Sequence, residues 1–252
     1  MSALNNSDTQ QNVNRRRGGL SVIIPAYNEA TRITATLSQL IACAPKIGIS
    51  EIIVVDDGST DQTSDLVAER AAQSTILQLV RMPNNQGKGA AVQTGVQNAR
   101  GNHVMFLDAD LSASPTAIPH AIAAIESGAD IVIGTRVNDA GIDARTTQPL
   151  SRQLSGKIFS LLQRMIVGLK YTDTQCPFKL FTHSAAENLF PQIQTSGWTF
   201  DVELLARAQL LGLTVKELPV EWTHIEGSHI KMTFRAALAV IRELLSIRYR
   251  VR

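Results

Sequence analysis

The chain has 252 residues, 44% apolar, 18% charged and 5% aromatic, with a formal net charge of +2. That composition builds a full hydrophobic core, excludes a low-complexity chain, and supplies no global positive field for nucleic acid. No apolar run reaches the ~18 residues of a membrane span. Cys43 and Cys176 are far apart and read as reduced thiols of a cytosolic protein.

Residues 1–18 are polar, contain Arg15-Arg16-Arg17 and lack the apolar segment of a signal peptide, so they read as a disordered arm. Leu20 to Pro25 is the first strand signal, and Pro25 closes it. A helix pattern follows through Leu37, Leu40 and Ile41. Glu51 to Val55 is a second strand and runs into Asp56-Asp57-Gly58-Ser59-Thr60-Asp61, which suits a turn and a helix start. A third strand spans Ile76 to Val80, a loop carries Asn85-Gln86-Gly87-Lys88-Gly89, and small residues from Ala90 to Ala99 make a helix able to lie close to a sheet. Further strands begin near Val104 and Asp130. The strand starts lie about 25–31 residues apart, the length of a βα unit, so the spacing predicts parallel strands with right-handed crossovers.

Beyond Gly134-Thr135-Arg136 the rhythm breaks. Val137 to Leu150 is polar and reads as mobile. Ser151 to Val167 has helical spacing, and Leu154, Ile158, Leu161, Leu162, Met165 and Ile166 read as its core face. Asp173 to Phe181 is loop then strand, Thr199 to Leu211 a helix, and Val215 to Trp222 a strand. The last segment, 231–252, carries six basic residues against Glu243 alone. On a helix it sets Lys231, Arg235 and Arg242 beside Phe234, Leu238, Ile241 and Leu245, the pattern of an interfacial helix. Packing on the domain or on a second subunit is the alternative. The expected organisation is an arm (1–18), a catalytic domain (19–230) and a basic amphipathic C-terminal helix (231–252).

The chemistry centres on Val104-Met105-Phe106-Leu107-Asp108-Ala109-Asp110. A buried strand runs into two carboxylates spaced so that both can face one site at the strand's carboxyl end, where open α/β sheets bind ligands. Two anions held together need a cation, and oxygen ligands suit Mg²⁺ or Mn²⁺. Taken alone, the pair fits a metal site or a solvated turn.

Seven stretches together resemble glycosyltransferase family 2, with its nucleotide-sugar-binding GT-A fold, and within it the dolichyl-phosphate (polyprenyl-phosphate) β-glucosyltransferases. They are Ile24-Pro25-Ala26-Tyr27-Asn28-Glu29, Val55 to Asp61, Asn85 to Gly89, Asp108-Ala109-Asp110, Gly134-Thr135-Arg136, Asp173 to Phe181 and Trp198 to Glu203. The resemblance implies an α/β, mostly parallel, Rossmann-like sheet flanked by helices. It also implies an inverting, metal-dependent transfer of a sugar, glucose from UDP-glucose, to a polyprenyl or dolichyl phosphate. On it, Pro25, Tyr27, Asn28, Glu29, Asp57, Lys88, Asp108, Ala109 and Asp110 bind the donor. Asp108 and Asp110 hold the metal. Arg136, Arg152, Asp201, Glu203 and His229 meet the acceptor, and Asp110, Arg136, Arg152 and Asp173 are catalytic.

A phosphate acceptor is already largely ionised at neutral pH and needs no general base, whereas a hydroxyl acceptor does; Asp173, Asp201 or Glu203 could then serve. The alternatives are therefore a transferase with a saccharide or soluble acceptor, a GDP-mannose-dependent lipid-phosphate transferase, and a non-catalytic nucleotide-sugar-binding protein. Two departures stand out. Ser112 replaces the Gln that mannosyl-lipid relatives often carry. Pro177 and His229 replace the glycine and lysine usual in the glucosyl branch. The expected setting is cytoplasmic, peripheral at the cytoplasmic face of a membrane and in contact with its anionic surface. No nucleic-acid partner is expected, and a homo-oligomer is compatible.

Overall fold

The computed structural model describes residues 18–138, 140–147, 150–223 and 234–251, without the side chains of 147, 150–152 and 234–237. Within it lie seven strands: β1 (Leu20–Ala26), β2 (Ile49–Asp56), β3 (Leu77–Arg81), β4 (His103–Leu107), β5 (Ile131–Thr135), β6 (Phe178–Thr182) and β7 (Val215–Pro219). The helices are α1 (Ile33–Ile47), α2 (Thr63–Ala72), α3 (Lys88–Asn98), α4 (Ile118–Glu126), α5 (Leu150–Ile166), α6 (His183–Leu189), α7 (Phe200–Leu210) and α8 (Phe234–Arg250). The strands form one sheet in the order β3-β2-β1-β4-β6-β5-β7.

Strand residues alternate between two cores, one on each face of the sheet. Val22, Ile24, Ile52, Val54, Met105 and Leu107 pack with Leu37 and Leu40 of α1, Val67 of α2 and Ile118 of α4. Ile23, Ile53, Val55, Val104 and Phe106 pack with Ala91 and Val92 of α3 and with residues of α5 to α8. Burial on both faces explains why these strands read as unbroken apolar runs.

The expected parallel direction holds for β3, β2, β1 and β4 and for β5, which runs the same way as β4. One strand interrupts the order. β6 lies between β4 and β5 and runs antiparallel to both. The reason is local. Asp173, just before β6, is bonded to Arg136, just after β5. The chain therefore re-enters the sheet at the edge it left, and the next strand must run back. α4 is the helix that the βα spacing between β4 and β5 implied, and α6 was not expected from the sequence. β1, β2, β4 and β5 all end at this common edge, at Ala26, Asp56, Leu107 and Thr135.

The 137–150 segment, expected to be mobile, carries ordered structure in its described part. Val137 bridges Asp143, and Ala144–Thr147 is a 3-10 turn.

One helix, α5, corrects the sequence expectations, and a second, α8, shows the domain packing that was the alternative reading. Of the six α5 residues expected in the core, Leu154, Ile158, Leu161 and Met165 are exposed and Leu162 and Ile166 pack against it, beside the buried Phe159. On α8, Val240, Leu244 and Ile247 are buried in that same core. α8 is thus docked on the domain along one face, leaving Leu238, Leu245 and Tyr249 outward.

Candidate active site

The turn after β4 is held by backbone contacts. The Thr36 hydroxyl donates to the Ala109 carbonyl at 2.5 Å, the Leu111 N–H donates to the Asp108 carbonyl at 3.0 Å, and Asp110 Oδ1 accepts the Ser112 N–H at 2.8 Å. Asp108 and Asp110 both line a cleft of about 320 Å³ with Pro25, Tyr27, Glu29, Asp57, Lys88 and Ala109. Tyr27 stands 44% exposed, so its ring face is available for stacking.

Asn28, the remaining residue of the expected donor set, does not line this cleft. Its φ is 56°, its Oδ1 accepts the Thr60 N–H at 2.9 Å, and its own N–H donates to Ser59 Oγ at 2.9 Å. Asn28 is a brace between the loops after β1 and β2. Its carbonyl oxygen is already taken up by the backbone, which corrects its assignment as a donor-binding side chain.

Asp57 shapes the opposite wall. It is buried, and its two oxygens accept the N–H groups of Gln86 and Gly87 at 2.7 and 2.8 Å. Gly87 has φ +100°, and a Cβ there would sit 2.6 Å from the Ser196 carbonyl oxygen. Only glycine passes this point without strain. Lys88 is thereby delivered as the first residue of α3, its Nζ 2.5 Å from Asp108 Oδ1. Burial alone would lower the Lys88 pKa; Asp108 and then Asp201 outweigh it and hold the ammonium above its usual value. Burial raises the Glu29 pKa, with Arg32 opposing and Asp110 and Asp108 adding to the rise.

The cleft already matches a cation, since Lys88 neutralises Asp108. Among the described residues no third His, Cys, Asp or Glu joins the pair to form a closed protein cage. A divalent ion held by Asp108 and Asp110 would take its other oxygens from diphosphate and water, the donor set Mg²⁺ and Mn²⁺ accept.

A second cavity, about 510 Å³, opens on the same edge of the sheet, around the end of β5 and the loop before β6. Its walls include Arg136, Asp143, Arg145, Lys157, Arg164 and Asp173. Arg136 donates from Nε to Asp173 Oδ2 at 2.6 Å and from Nη2 to Asp173 Oδ1 at 2.7 Å, and stacks over Trp222 at 5.6 Å. Asp173 is buried; burial pushes its pKa up, but the bonds and charge of Arg136, then the charge of Arg145, hold it below the usual range. A carboxylate so held is a poor base, which corrects its assignment as a catalytic one. Arg145 pairs with Asp143 at 2.8 Å and lies 3.7 Å from Asp173. Arg152 falls within α5, with its side chain outside the described residues, and His229 lies outside them altogether.

Asp201 and Glu203 line neither cavity. Asp201 is buried with the Lys179 ammonium 2.7 Å away, and burial raises its pKa against the pull of Lys179 and Lys88. Glu203 is fully buried; it accepts the Thr195 N–H at 2.8 Å and Arg207 Nη2 at 2.7 Å. Both were expected at the acceptor. Both are internal braces, because their helix turns them into the core. Cys176 is inert: burial, chiefly, pushes its thiol up to about 12.

Residues 21–190 match the family model described as glycosyl transferase family 2. The chain belongs to that family. It is 36% identical over 241 residues to dolichyl-phosphate beta-glucosyltransferase ALG5C of Trichomonas vaginalis, covering 90% of this chain and 71% of that protein. It is 32% identical over 250 residues to the dolichyl-phosphate beta-glucosyltransferase of Homo sapiens, covering 92% and 75%. Among solved structures, glucosyl-3-phosphoglycerate synthase from Mycobacterium tuberculosis, in complex with Mn²⁺, UDP and glucosyl-3-phosphoglycerate, superposes with a TM-score of 0.61 at 18% identity. That match covers 100% of this chain and 85% of the synthase. TarS of S. aureus in complex with UDP-GlcNAc gives 0.60 at 20%, covering 91% and 66%. The family 2 transferase has the GT-A fold.

Sequence reasoning missed Arg145, Lys157 and Arg164 in this transferase. Arg145 sits in a polar stretch with no periodicity, and only the Asp143–Arg145 turn fixes its direction. Lys179 was also passed over: a lysine in an apolar strand, Phe178–Thr182, is itself a signal that a buried anion must face it.

Proposed function

We propose that this transferase moves glucose from UDP-glucose to a polyprenyl phosphate of the dolichol type, at a membrane surface. One observation supports this above others: a nucleotide-sized cleft carrying two carboxylates and a lysine and a cavity walled by several basic side chains both open at the edge of the sheet where β1, β2, β4 and β5 end. The first suits a nucleoside diphosphate sugar and the second a phosphate head. The relatives named above carry that activity in their names.

Tyr27 would stack on the base, and Lys88 at the start of α3 would meet the diphosphate, where a helix N-terminus and an ammonium both favour anions. A divalent ion on Asp108 and Asp110, when bound, would supply charge neutralisation for the leaving diphosphate. Arg145, Lys157 and Arg164 would seat the acceptor phosphate, with Arg136 fixed behind them by Asp173. The attacking atom is then a phosphate oxygen. With a second pKa near ~6 it needs no proton removed. Positioning and electrostatics carry the reaction. Attack opposite the leaving diphosphate would convert the α-linked donor to a β-linked product.

A hydroxyl acceptor would need a carboxylate base in the acceptor cavity. Asp143 and Asp173 are its acidic lining residues, and each is paired with arginine. The test is direct. The protein is incubated with UDP-[¹⁴C]glucose, Mn²⁺ and a short polyprenyl phosphate. The expected product is an anionic, organic-extractable glucolipid. Label released only as free glucose, or carried onto a water-soluble acceptor instead, would overturn the assignment.

A further inference from the structure

Four large apolar side chains stand in solvent along α5: Leu154 is 61% exposed, Ile158 51%, Leu161 57% and Met165 69%. At 3.6 residues per turn they fall within about 60° of arc. The opposite side of the helix is buried through Phe159 and Gln163. α5 is therefore apolar on an inner face, which is packed, and again on an outer strip, which none of the described elements covers. Exposed apolar residues scattered singly need no explanation, but a contiguous strip over successive turns marks a surface that meets protein or lipid.

We propose that this outer strip docks the protein on an anionic bilayer, with α5 lying in the interface and delivering the lipid phosphate sideways into the acceptor cavity. The proposal rests on the lipid-phosphate assignment above and adds the surface and the direction of entry.

Two features favour lipid over a second copy of the chain. The first is charge. α5 carries Arg152, Lys157 and Arg164 and no acidic residue. Two such helices placed face to face would set like charges together, whereas an anionic surface complements them. The second is the order of residues around the helix. Moving from the strip, Lys157 and Arg164 come next, about 60–80° from Leu154, and Gln153 and Ser160 follow at about 100–120°. Lys157, Arg164 and Leu161 also line the acceptor cavity, as do Gln153 and Ser160. The cavity mouth is thus contiguous with the strip and separated from it only by a basic edge. A lipid whose tail stays in the bilayer on which the strip rests can extend its phosphate past Lys157 and Arg164. A protein partner seated on the strip would cover the mouth instead.

The test uses the full chain and vesicles of phosphatidylcholine with about a third phosphatidylglycerol, at low salt. In I158E/M165E both substituted side chains are solvent-exposed and neither lines the cavity. Wild type is expected to co-sediment with the vesicles, and the variant to partition about tenfold less or weaker. Transfer to a short, water-soluble polyprenyl phosphate should stay within about twofold, while transfer to a long acceptor embedded in vesicles falls with the partition. The milder I158S/M165S, folded by circular dichroism, should show the same order of effects. Unchanged sedimentation of a folded variant overturns the proposal. So does a wild type that is dimeric without lipid and becomes monomeric in the variant, since a second copy then owns the strip. If neither protein glucosylates any lipid phosphate, the transfer assignment fails, and the partition result still decides the docking face.

Discussion

Arg136 and Asp173 meet fork to fork on the wall of the acceptor cavity, two parallel N–H···O bonds at 2.6 and 2.7 Å. The pair joins the end of β5 to the loop that begins the antiparallel strand β6. It therefore fixes the topology of the sheet and the shape of the acceptor site at once. It also decides what Asp173 can do: both oxygens are committed, and its pKa is held low by the arginine that it anchors.

Asp173→Asn should leave a buried guanidinium without its counter-charge, at a cost of about 3–5 kcal/mol in denaturant unfolding. The pH dependence has a defined sign. The folded-state pKa of Asp173 lies below the unfolded value of ~3.9, so its stabilisation is complete above that value and lost as pH falls through the folded one. The stability gap between wild type and variant should be flat from about pH 5 to 8 and close below about pH 4. A gap that instead grows on acidification would mean that the carboxylate is not held by Arg136 in solution.

Asp110→Asn keeps the shape of the turn and removes one of the two carboxylate charges. Transfer should fall by more than tenfold, at least ~1.4 kcal/mol of barrier. Calorimetry gives a second readout: Mn²⁺ should strengthen UDP binding to wild type and have little effect on the variant. Full wild-type turnover in excess EDTA would remove the metal from the scheme.

Much of the donor side was legible in the sequence because its residues sit at strand ends, where pattern and position coincide. Leu107 ends a buried strand and Asp108 must follow at the carboxyl edge; Gly87 and Gly89 flank Lys88 because backbone passes within contact of both. The acceptor side was legible only in part: Arg136 and Asp173 were read from the sequence and line the cavity, while Arg145, Lys157 and Arg164 were not. Those three come from a polar loop and the flank of α5, and the direction of each depends on tertiary contacts such as Asp143–Arg145. Asp201 and Glu203 show the same limit. Helical spacing places them on α7, but that α7 is buried on every side, with Asp201 met by Lys179 of β6 and Glu203 by Arg207 of its own helix, depends on tertiary packing. α5 misled for another reason. Its apolar spacing is real, yet the helix has two apolar faces, and periodicity does not say which one the core takes.

Lys179 and Asp201 form a buried ion pair, and both face the Phe106 side of the sheet. Lys179→Met alone strands the carboxylate and should cost about 3–5 kcal/mol. Lys179→Met with Asp201→Leu removes both charges and should recover most of that loss. A thermal-unfolding double-mutant cycle measures the coupling; additive losses would show that the two charges do not sense each other.

The C-terminal helix couples to the donor cleft through a short chain of contacts. Arg250 Nη2 donates to Thr195 Oγ at 2.9 Å and lies 3.4 Å from Glu203, which also holds the Thr195 N–H. The next residue, Ser196, accepts the Gly89 N–H at 2.7 Å, one position past Lys88. Ending the chain at residue 231 would uncover the sites of Val240, Leu244 and Ile247, each contributing about 1.5–3 kcal/mol when buried. A helix that served only the membrane would be removable without such a loss. The truncated protein should instead melt at least ~10 °C lower, at ~2–4 °C per kcal/mol for a domain of this size. Its UDP affinity should fall as well, because the loop behind Gly89 loses its brace. Arg250→Ala is the finer probe. It removes one hydrogen bond and should cost only about 1 kcal/mol, with UDP affinity lowered in the same direction but less. Unaltered melting and UDP binding in the truncated chain would show that α8 is dispensable to the fold and that the contacts through Glu203 carry nothing to the donor site.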